Sequence, residues 1–276
     1  MSDEPHHLAA QLLPDVLAIA RAAAAEVLSI YEEGFEVEQK GDMSPLTTAD
    51  LAAHEIIVTA LAELTPAIPV LSEESGDIPY EVRSSWQRYW LIDPLDGTRE
   101  FIQRNGEFTV NIALIEAGEA VLGVVVVPES GVAYFAAQGG GAARQLAGGA
   151  VVPIKTRSFD VNHIVVAVSR SHGSDALQAF VGGLGACRQV ALGSSLKFCL
   201  VAEGLADLYP RFGLTSQWDT AAAQCIVQQA GGQVMTLNLQ PLSYRTRESL
   251  LNPHFIVCGD SEYDWRGYLP GKGFPT

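Results

Sequence analysis

Residues 90–98 read WLIDPLDGT, an apolar run followed by two aspartates three positions apart and then a glycine–threonine pair. Two ionised carboxylates about 4 Å apart repel by roughly 4 kcal/mol at an effective dielectric near 20, so such closeness is favoured where a cation such as Mg²⁺ lies between them. Pro94 predicts that the strand ends after Asp93, and Gly97 predicts a tight turn whose following amides open a helix toward an anion. The alternative is an ordinary β-turn in which the aspartates accept hydrogen bonds from local amides.

Three further acidic positions stand at predicted strand ends or helix starts. Glu73 ends the apolar run of residues 68–72, and Asp219 precedes an alanine-rich segment. Asp50 follows Thr47 by three residues at the start of a helical pattern. Each has an ordinary structural explanation, because Asp is a favoured N-cap and the Thr47–Asp50 spacing is that of a capping box.

Three segments together resemble the inositol monophosphatase superfamily of Mg²⁺-dependent, Li⁺-sensitive phosphatases, in order and in rough spacing. They are SEE at 72–74, WLIDPLDGT at 90–98 and WDTAA at 218–222. Within that superfamily the chain is most similar to the bacterial 3'(2'),5'-bisphosphate nucleotidase branch, from about residue 10 to 260. The closer similarity is carried by RNGEFTVNIAL at 104–114, SRSH at 169–172, GSSLKFCLVAEG at 193–204 and LYPRFG at 208–213.

The resemblance implies roles for the positions that match the family's motifs. The implied metal ligands are four carboxylates and one backbone carbonyl: Glu73, Asp93, Asp96, Asp219 and the carbonyl of Leu95. The implied catalytic residues, which activate the attacking water, are Asp50 and Thr98, joined by Glu73. The implied substrate contacts comprise phosphate-binding amides, nucleotide-binding side chains and the neighbouring metal-site residues: Gly97, Thr98, His172, Ser194, Lys197, Arg211, Glu73, Leu95, Asp96 and Asp219. The implied cofactor is Mg²⁺, two or three ions per site, with Li⁺ expected to inhibit.

Two of the nucleotide-binding assignments have structural alternatives. Lys197 lies in an otherwise apolar helical segment, where a lysine commonly reaches the surface along its own methylene groups. His172 lies close to Arg170 in a segment that is also compatible with a surface turn.

Hydrophobic periodicity predicts the order of secondary structure. Helices are predicted over 8–31, 51–64, 174–184, 196–203 and 220–230. Strands are predicted over 69–71, 89–92, 110–115, 121–127, 132–136, 142–146, 164–168, 187–191, 206–209, 233–235 and 255–257.

This order predicts an α/β protein with one mainly antiparallel sheet and one mixed sheet between helix layers. The family resemblance implies an αβαβα sandwich of the sugar-phosphatase type. We expect a division near residues 153–160, with most metal ligands on an α+β lobe over 1–155. Asp219 and the nucleotide-binding residues would then lie on an α/β lobe over 156–276, and the site in the cleft between the lobes.

Composition and charge exclude several classes of function. The chain has 276 residues, 48% of them hydrophobic, which suits one globular unit of two lobes. Residues 1–155 carry 23 Asp and Glu against 8 Lys and Arg, whereas residues 156–276 carry 9 of each. So acidic a surface repels nucleic-acid polymers, and the phosphate-lining cations would be Arg170, His172, Lys197 and Arg211 in the second half.

The location and assembly of the protein are expected from simpler features. No stretch approaches the roughly 18 apolar residues of a membrane span, and Met1–His7 lacks the pattern of a secretory signal. We expect a cytoplasmic protein, with peripheral association at the inner membrane face left open. The pattern does not indicate an oligomeric state.

The predicted function follows from the family resemblance and from the basic residues that would bind a second phosphate. The leading hypothesis is Mg²⁺-dependent hydrolysis of the 3'-phosphate of adenosine 3',5'-bisphosphate to AMP, extending to 3'-phosphoadenylyl sulfate, in sulfur assimilation and nucleotide recycling. The alternatives are hydrolysis of inositol monophosphate or fructose 1,6-bisphosphate. A non-enzymatic cation-binding module would require the Asp50–Thr98 pair to be coincidental.

Overall fold

Two β-sheets separated by helices organise the chain, and the computed structural model describes residues 4–39, 45–76, 78–170 and 174–268. The helices are α1 (Glu4–Glu33), α2 (Thr48–Leu64), α3 (Tyr80–Arg83), α4 (Thr98–Ile102), α5 (Asp175–Gly183), α6 (Leu196–Ala202) and α7 (Ala221–Gln229), followed by a 3₁₀ turn at Trp265–Tyr268. The strands are β1 (Val37–Gln39), β2 (Pro45–Thr47), β3 (Val70–Ser72), β4 (Arg88–Asp96), β5 (Thr109–Glu116), β6 (Glu119–Val127), β7 (Val132–Ala137), β8 (Ala142–Gln145), β9 (Val151–Ile154), β10 (Ile164–Ser169), β11 (Cys187–Leu192), β12 (Leu208–Arg211), β13 (Gln233–Thr236) and β14 (Phe255–Cys258).

The larger sheet has the order β3-β4-β5-β6-β7-β8-β9. Its strands pair antiparallel except for β3 and β4, which are parallel. The smaller sheet has the order β11-β10-β12-β14-β13, in which β10 is parallel to both of its neighbours and β14 is antiparallel to both of its own. The prediction of one mainly antiparallel and one mixed sheet is therefore confirmed.

Side-chain alternation along β4 shows how the layers are stacked. Trp90 and Ile92 are buried in the cluster that also contains the apolar faces of α1 and α2. Tyr89 and Leu91 point the other way, into the cluster that contains α6, α7 and one face of the smaller sheet. The opposite face of that sheet packs against α5, and the layers run helix, sheet, helix, sheet, helix. This arrangement confirms the five-layer sandwich.

Helix α7 lies directly against the backbone of β6 at Gly123. A Cβ atom at this position would lie 2.1 Å from the carbonyl oxygen of Ala222 and 3.0 Å from the Cβ of Cys225. Only glycine permits this approach. Helix α7 begins two residues after Asp219, so the contact holds the helix that follows this aspartate.

The prediction that Pro94 ends its strand is wrong, because β4 continues through Pro94 to Asp96. Asp93 pairs with Asn111 and Asp96 with Thr109, so Pro94 and Leu95 together stand opposite one residue of β5. A proline is tolerated in such a bulge because no ladder hydrogen bond is needed from its nitrogen. The bulge lies between the two aspartates and changes the directions in which their side chains point.

The remaining predicted strands, and the helices after residue 170, begin and end within two residues of the observed ones. The first two helices are longer than predicted, at Glu4–Glu33 and Thr48–Leu64. The sequence pattern missed β1, β2, β9 and α3. Strand β9 has the sequence VVPI after a glycine pair, so its proline favoured a linker.

In the part of the chain that the structure describes, no helix is long and apolar enough to cross a membrane. One hydrophobic cluster contains Leu71 and Tyr134 together with Val227 and Val257. Both predicted lobes therefore contribute to a shared core, and the division at residue 155 stays a prediction.

Candidate active site

A cavity of about 260 Å³ opens where β4 turns into α4. Eight of the predicted site residues line it: Glu73, Asp96, Gly97, Thr98, Ser194, Lys197, Arg211 and Asp219. Asp50 and Asp93, each 1% exposed, and Leu95 lie buried behind the wall. His172 lies outside the residues that the structure describes.

Carboxylates are crowded at the cavity, where Glu73, Asp96 and Asp219 form what we refer to as its acidic wall. The pKa of Asp93 is held well above its usual range by burial and by the neighbouring charges of Glu73, Asp96, Asp219 and Asp50. Burial followed by the charges of Asp96 and Glu73 likewise raises the pKa of Asp219. Ionised carboxylates at this density are not stable together, and a divalent cation relieves the repulsion directly.

The donors at this wall fit Mg²⁺. Asp93 Oδ1 accepts the amide of Leu95 at 3.1 Å, and Asp219 Oδ2 accepts the amide of Ser216 at 3.0 Å, which leaves the second oxygen of each carboxylate for coordination. Among the residues described, no three acidic, histidine or cysteine side chains form a metal cage by themselves. Mg²⁺ does not require one, because it retains waters and commonly binds through one or two carboxylates and the substrate phosphate. Oxygen donors are also the type that Mg²⁺ prefers.

The carboxylate of Asp96 accepts hydrogen bonds from residues that the sequence patterns did not single out. Its Oδ2 atom accepts from the Ser195 amide at 2.6 Å, the Ser195 hydroxyl at 2.8 Å and the Asn111 amide group at 3.3 Å. The hydroxyl of Thr109 lies 3.4 Å from the same oxygen. Asn111 and Thr109 could have been noticed as polar residues in the otherwise apolar strand TVNIALIE. Ser195 has no comparable signal, since it stands in a segment already explained by nucleotide binding.

Asp50 uses its two oxygens for different purposes. Oδ2 accepts the Thr47 amide at 2.7 Å and the Thr47 hydroxyl at 2.5 Å, which completes the capping box of α2. Oδ1 faces the hydroxyl of Thr98 at 3.4 Å. Burial, together with the charges of Glu74 and Glu73, raises the pKa of Asp50 to about 6, although the bonds from Thr47 oppose the shift. The capping and proton-accepting roles are therefore compatible.

Gly97 makes the turn that the sequence predicted. Its φ of +93° lies in the left-handed region, and α4 begins at the next residue, Thr98. A Cβ atom here would lie 3.2 Å from the carbonyl oxygen of Glu107 and 3.3 Å from the Cβ of Ser194. The first amides of a helix have no hydrogen-bond acceptor within the helix itself, so this turn is the kind of position that binds an anion.

Two cationic side chains, Lys197 and Arg211, also line the cavity, and we refer to them, together with Ser194, as its cationic wall. Lys197 is buried, at 5% exposure, so the alternative of a surface lysine is wrong. Its ammonium donates to the carbonyls of Ser194 at 2.5 Å and Leu192 at 3.3 Å, which leaves one of its three hydrogens for a ligand. Burial lowers the pKa of Lys197 to about 8, while the charge of Asp96 opposes the shift.

Two polar atoms on this wall await a partner. Arg211 Nη2 donates to the carbonyl of Leu214 at 2.8 Å, but Arg211 Nε and the Ser194 hydroxyl are buried and have no hydrogen-bond partner within the described part of the chain. Buried polar groups are seldom left unsatisfied, and a polar ligand in the cavity would supply both with a partner.

Arg170 does not join this wall, contrary to expectation. Its guanidinium donates to both oxygens of Glu107, at 2.8 and 2.5 Å, and Glu107 also accepts the amide of Gly193 at 2.7 Å. The charge of Arg170 is therefore used to connect the loop after α4 to the second half of the chain.

Comparison with known proteins agrees with this geometry. The model of the inositol monophosphatase family matches residues 10–262. The chain is 51% identical over 248 residues to the 3'(2'),5'-bisphosphate nucleotidase CysQ of Salmonella typhimurium, covering 89% of this chain and 99% of the relative. It is 49% identical over 249 residues to the protein of the same name from Escherichia coli K12, with the same coverage.

Solved structures show the same fold. The crystal structure of CysQ from Bacteroides thetaiotaomicron superposes with a TM-score of 0.79 at 40% identity, covering 91% of this chain and 98% of that one. The Thermotoga maritima IMPase gives a TM-score of 0.76 at 24% identity, covering 90% of this chain and 92% of that one. The chain belongs to the inositol monophosphatase family.

Proposed function

We propose that this protein is a Mg²⁺-dependent 3'(2'),5'-bisphosphate nucleotidase that hydrolyses the 3'-phosphate of adenosine 3',5'-bisphosphate to give AMP and phosphate. The observation that carries the proposal is that one cavity is lined both by the acidic wall, with Asp96 and Asp219, and by the cationic wall, with Lys197 and Arg211. An acidic wall suits a metal-bound reacting phosphate, and a cationic wall suits a second phosphate that does not react. Relatives about half identical over most of the chain carry the nucleotidase name.

The residues at and next to the acidic wall bind the reacting phosphate and transfer protons. The amides at Gly97 and Thr98 hold the reacting phosphate at the start of α4. Thr98 orients the attacking water: the Thr98 oxygen takes a proton from the water while its own hydroxyl proton passes to Asp50 Oδ1, and the leaving 3'-oxygen takes up a proton from solvent. Glu73, Asp93, Asp96, Asp219 and the Leu95 carbonyl would hold Mg²⁺, which neutralises charge on the attacking and leaving oxygens when bound.

The cationic wall selects the substrate. Lys197 and Arg211 would contact the 5'-phosphate, and the Ser194 hydroxyl and Arg211 Nε would gain the partners that they lack. His172 remains a proposed nucleotide contact. The 5'-phosphosulfate group of 3'-phosphoadenylyl sulfate would place an anion at the same cationic wall, so this compound is a second proposed substrate. We place the activity in the cytoplasm, in sulfur assimilation and nucleotide recycling, and expect inhibition by Li⁺ from the family resemblance.

Phosphate release from a small substrate panel tests the proposal. The panel is adenosine 3',5'-bisphosphate, inositol 1-phosphate and fructose 1,6-bisphosphate, each with saturating Mg²⁺ and again with EDTA. We expect kcat/KM to be highest for the nucleotide and no activity to remain with EDTA. Equal or reversed efficiencies would overturn the nucleotidase assignment, and full activity with EDTA would overturn the metal dependence.

A further inference from the structure

Ser195 joins the supports of two proposed metal ligands that come from distant parts of the chain. It lies immediately before α6, is 1% exposed and does not line the cavity. Its amide and hydroxyl reach Asp96 Oδ2 at 2.6 and 2.8 Å. The same hydroxyl lies 2.9 Å from the backbone carbonyl of Asp219.

The hydroxyl is also fixed from a third side. Asn111, on β5 of the larger sheet, donates to the Ser195 oxygen at 2.9 Å and to Asp96 Oδ2 at 3.3 Å. Asn111 therefore fills the acceptor position of the hydroxyl, and the single hydroxyl hydrogen is shared between the Asp96 carboxylate and the Asp219 carbonyl. Each acceptor that moves away loses its own contact with the Ser195 hydroxyl.

These contacts also decide which oxygen of Asp96 can coordinate. All of the donors from Ser195 and Asn111 fall on Oδ2, so Oδ1 is the oxygen left for a cation. When Oδ2 is held in this way, Oδ1 is already oriented for coordination before the metal binds. Hydrogen-bond partners behind metal ligands commonly change metal affinity or activity by about 10- to 100-fold.

We propose that Ser195 is a positioning residue that fixes the separation of Asp96 and Asp219, and so sets the affinity of the site for its divalent cation. It does not touch the substrate or the reacting atoms. The inference rests on the metal site of the proposed function. It identifies Ser195 as the residue that fixes the distance between two of the ligands of that site.

Mn²⁺ serves as the probe, because free Mn²⁺ can be measured by electron paramagnetic resonance without any turnover. Ser195→Ala removes the hydroxyl and keeps the hydrogen bond that the backbone amide of residue 195 donates to Asp96. The matched control is Thr65→Val, which also loses a hydroxyl with two hydrogen bonds, to Leu61 and from Trp90, at the end of α2 remote from Asp50.

We expect the Kd for Mn²⁺ to rise about tenfold in Ser195→Ala and to stay unchanged in Thr65→Val. The Mg²⁺ concentration that gives half-maximal activity should rise in parallel, whereas the KM for the nucleotide at saturating Mg²⁺ should not change. Asn111→Ala should weaken Mn²⁺ binding in the same direction, and the double variant should lose less than the sum of the two changes in binding free energy.

Wild-type Mn²⁺ affinity in folded Ser195→Ala would overturn the inference and leave the nucleotidase function standing. Equal losses in Ser195→Ala and Thr65→Val would also overturn it, because the effect would then be one of general stability. A wild-type protein that hydrolyses none of the panel substrates yet loses Mn²⁺ affinity on Ser195→Ala would overturn the proposed function and support the inference.

Discussion

Replacing Asp50 by Asn separates the two uses of this side chain. The Asn oxygen can still accept the amide and hydroxyl of Thr47, so the cap of α2 is retained. The Asn amide group would then face Thr98, and it donates a hydrogen bond where the carboxylate accepts one. The base is lost with little change of shape, and we expect kcat to fall by roughly 10²- to 10⁴-fold.

The same substitution should stabilise the metal-free protein at neutral pH. Burial raises the pKa of Asp50 from 3.8 to about 6, so keeping the carboxylate ionised lowers the free energy of unfolding by about 3 kcal/mol. That loss is absent below the unfolded pKa and develops as pH rises through about 6, because the folded state binds the proton more tightly. Asn carries no charge at any pH and avoids the loss.

Steady-state kinetics and urea unfolding check both parts. Turnover is measured at saturating Mg²⁺ and nucleotide, and unfolding is measured in EDTA at pH 5 and pH 7.5. We expect the variant to gain stability relative to wild type between these two pH values while losing turnover. Thr98→Val should lose a comparable factor in kcat, and the double variant should lose little more than the worse single variant. A well-folded Asp50→Asn protein with near-normal turnover would refute the proton-accepting role.

Four other predictions concern the cationic wall and the metal. Lys197→Met and Arg211→Met should each raise KM for adenosine 3',5'-bisphosphate by about 10- to 100-fold, since a hydrogen bond to a charged group contributes about 1.5–3 kcal/mol, and should change KM for inositol 1-phosphate much less. Equal losses for both substrates would mean a structural role. Because the pKa of Lys197 is about 8, the preference in kcat/KM for the bisphosphate should fall between pH 7 and pH 9, and it should be flat in Lys197→Met. The charges that bear on this lysine are those of Asp96, Arg211, Glu100 and Glu107. Adding Mg²⁺ should raise Tm because it relieves repulsion around Asp93, and millimolar Li⁺ should inhibit at limiting Mg²⁺; a Tm independent of Mg²⁺ would argue against the metal site.

The order of strands and helices could be predicted because most elements bury one face, and periodicity reports that face directly. The exception at Pro94 is instructive. Proline ends a regular strand, but a bulge removes the need for its missing N–H, and whether a bulge forms depends on the partner strand. Local sequence does not contain that information.

The candidate site was predicted as a set of residues rather than as a geometry. The acidic residues were assigned from the family resemblance, and the cavity brings Glu73, Asp96 and Asp219 together with Lys197. The burial of Lys197 could not be predicted from its apolar segment, because the same pattern fits a lysine that reaches the surface along its methylene groups. Ser195 was missed for a different reason: its partners Asp96 and Asn111 are more than 80 residues away.

The contact between Gly123 and helix α7 makes a position in the middle of a sheet behave as part of the metal site. A methyl group there would have to displace the carbonyl of Ala222, and the displaced turn begins just after Asp219. Variants at Gly123 that still fold should therefore be classified by their metal dependence rather than by their stability. In a mutational survey, an inactive protein with a normal Tm at this position would report a misplaced ligand, although the changed residue never faces the cavity.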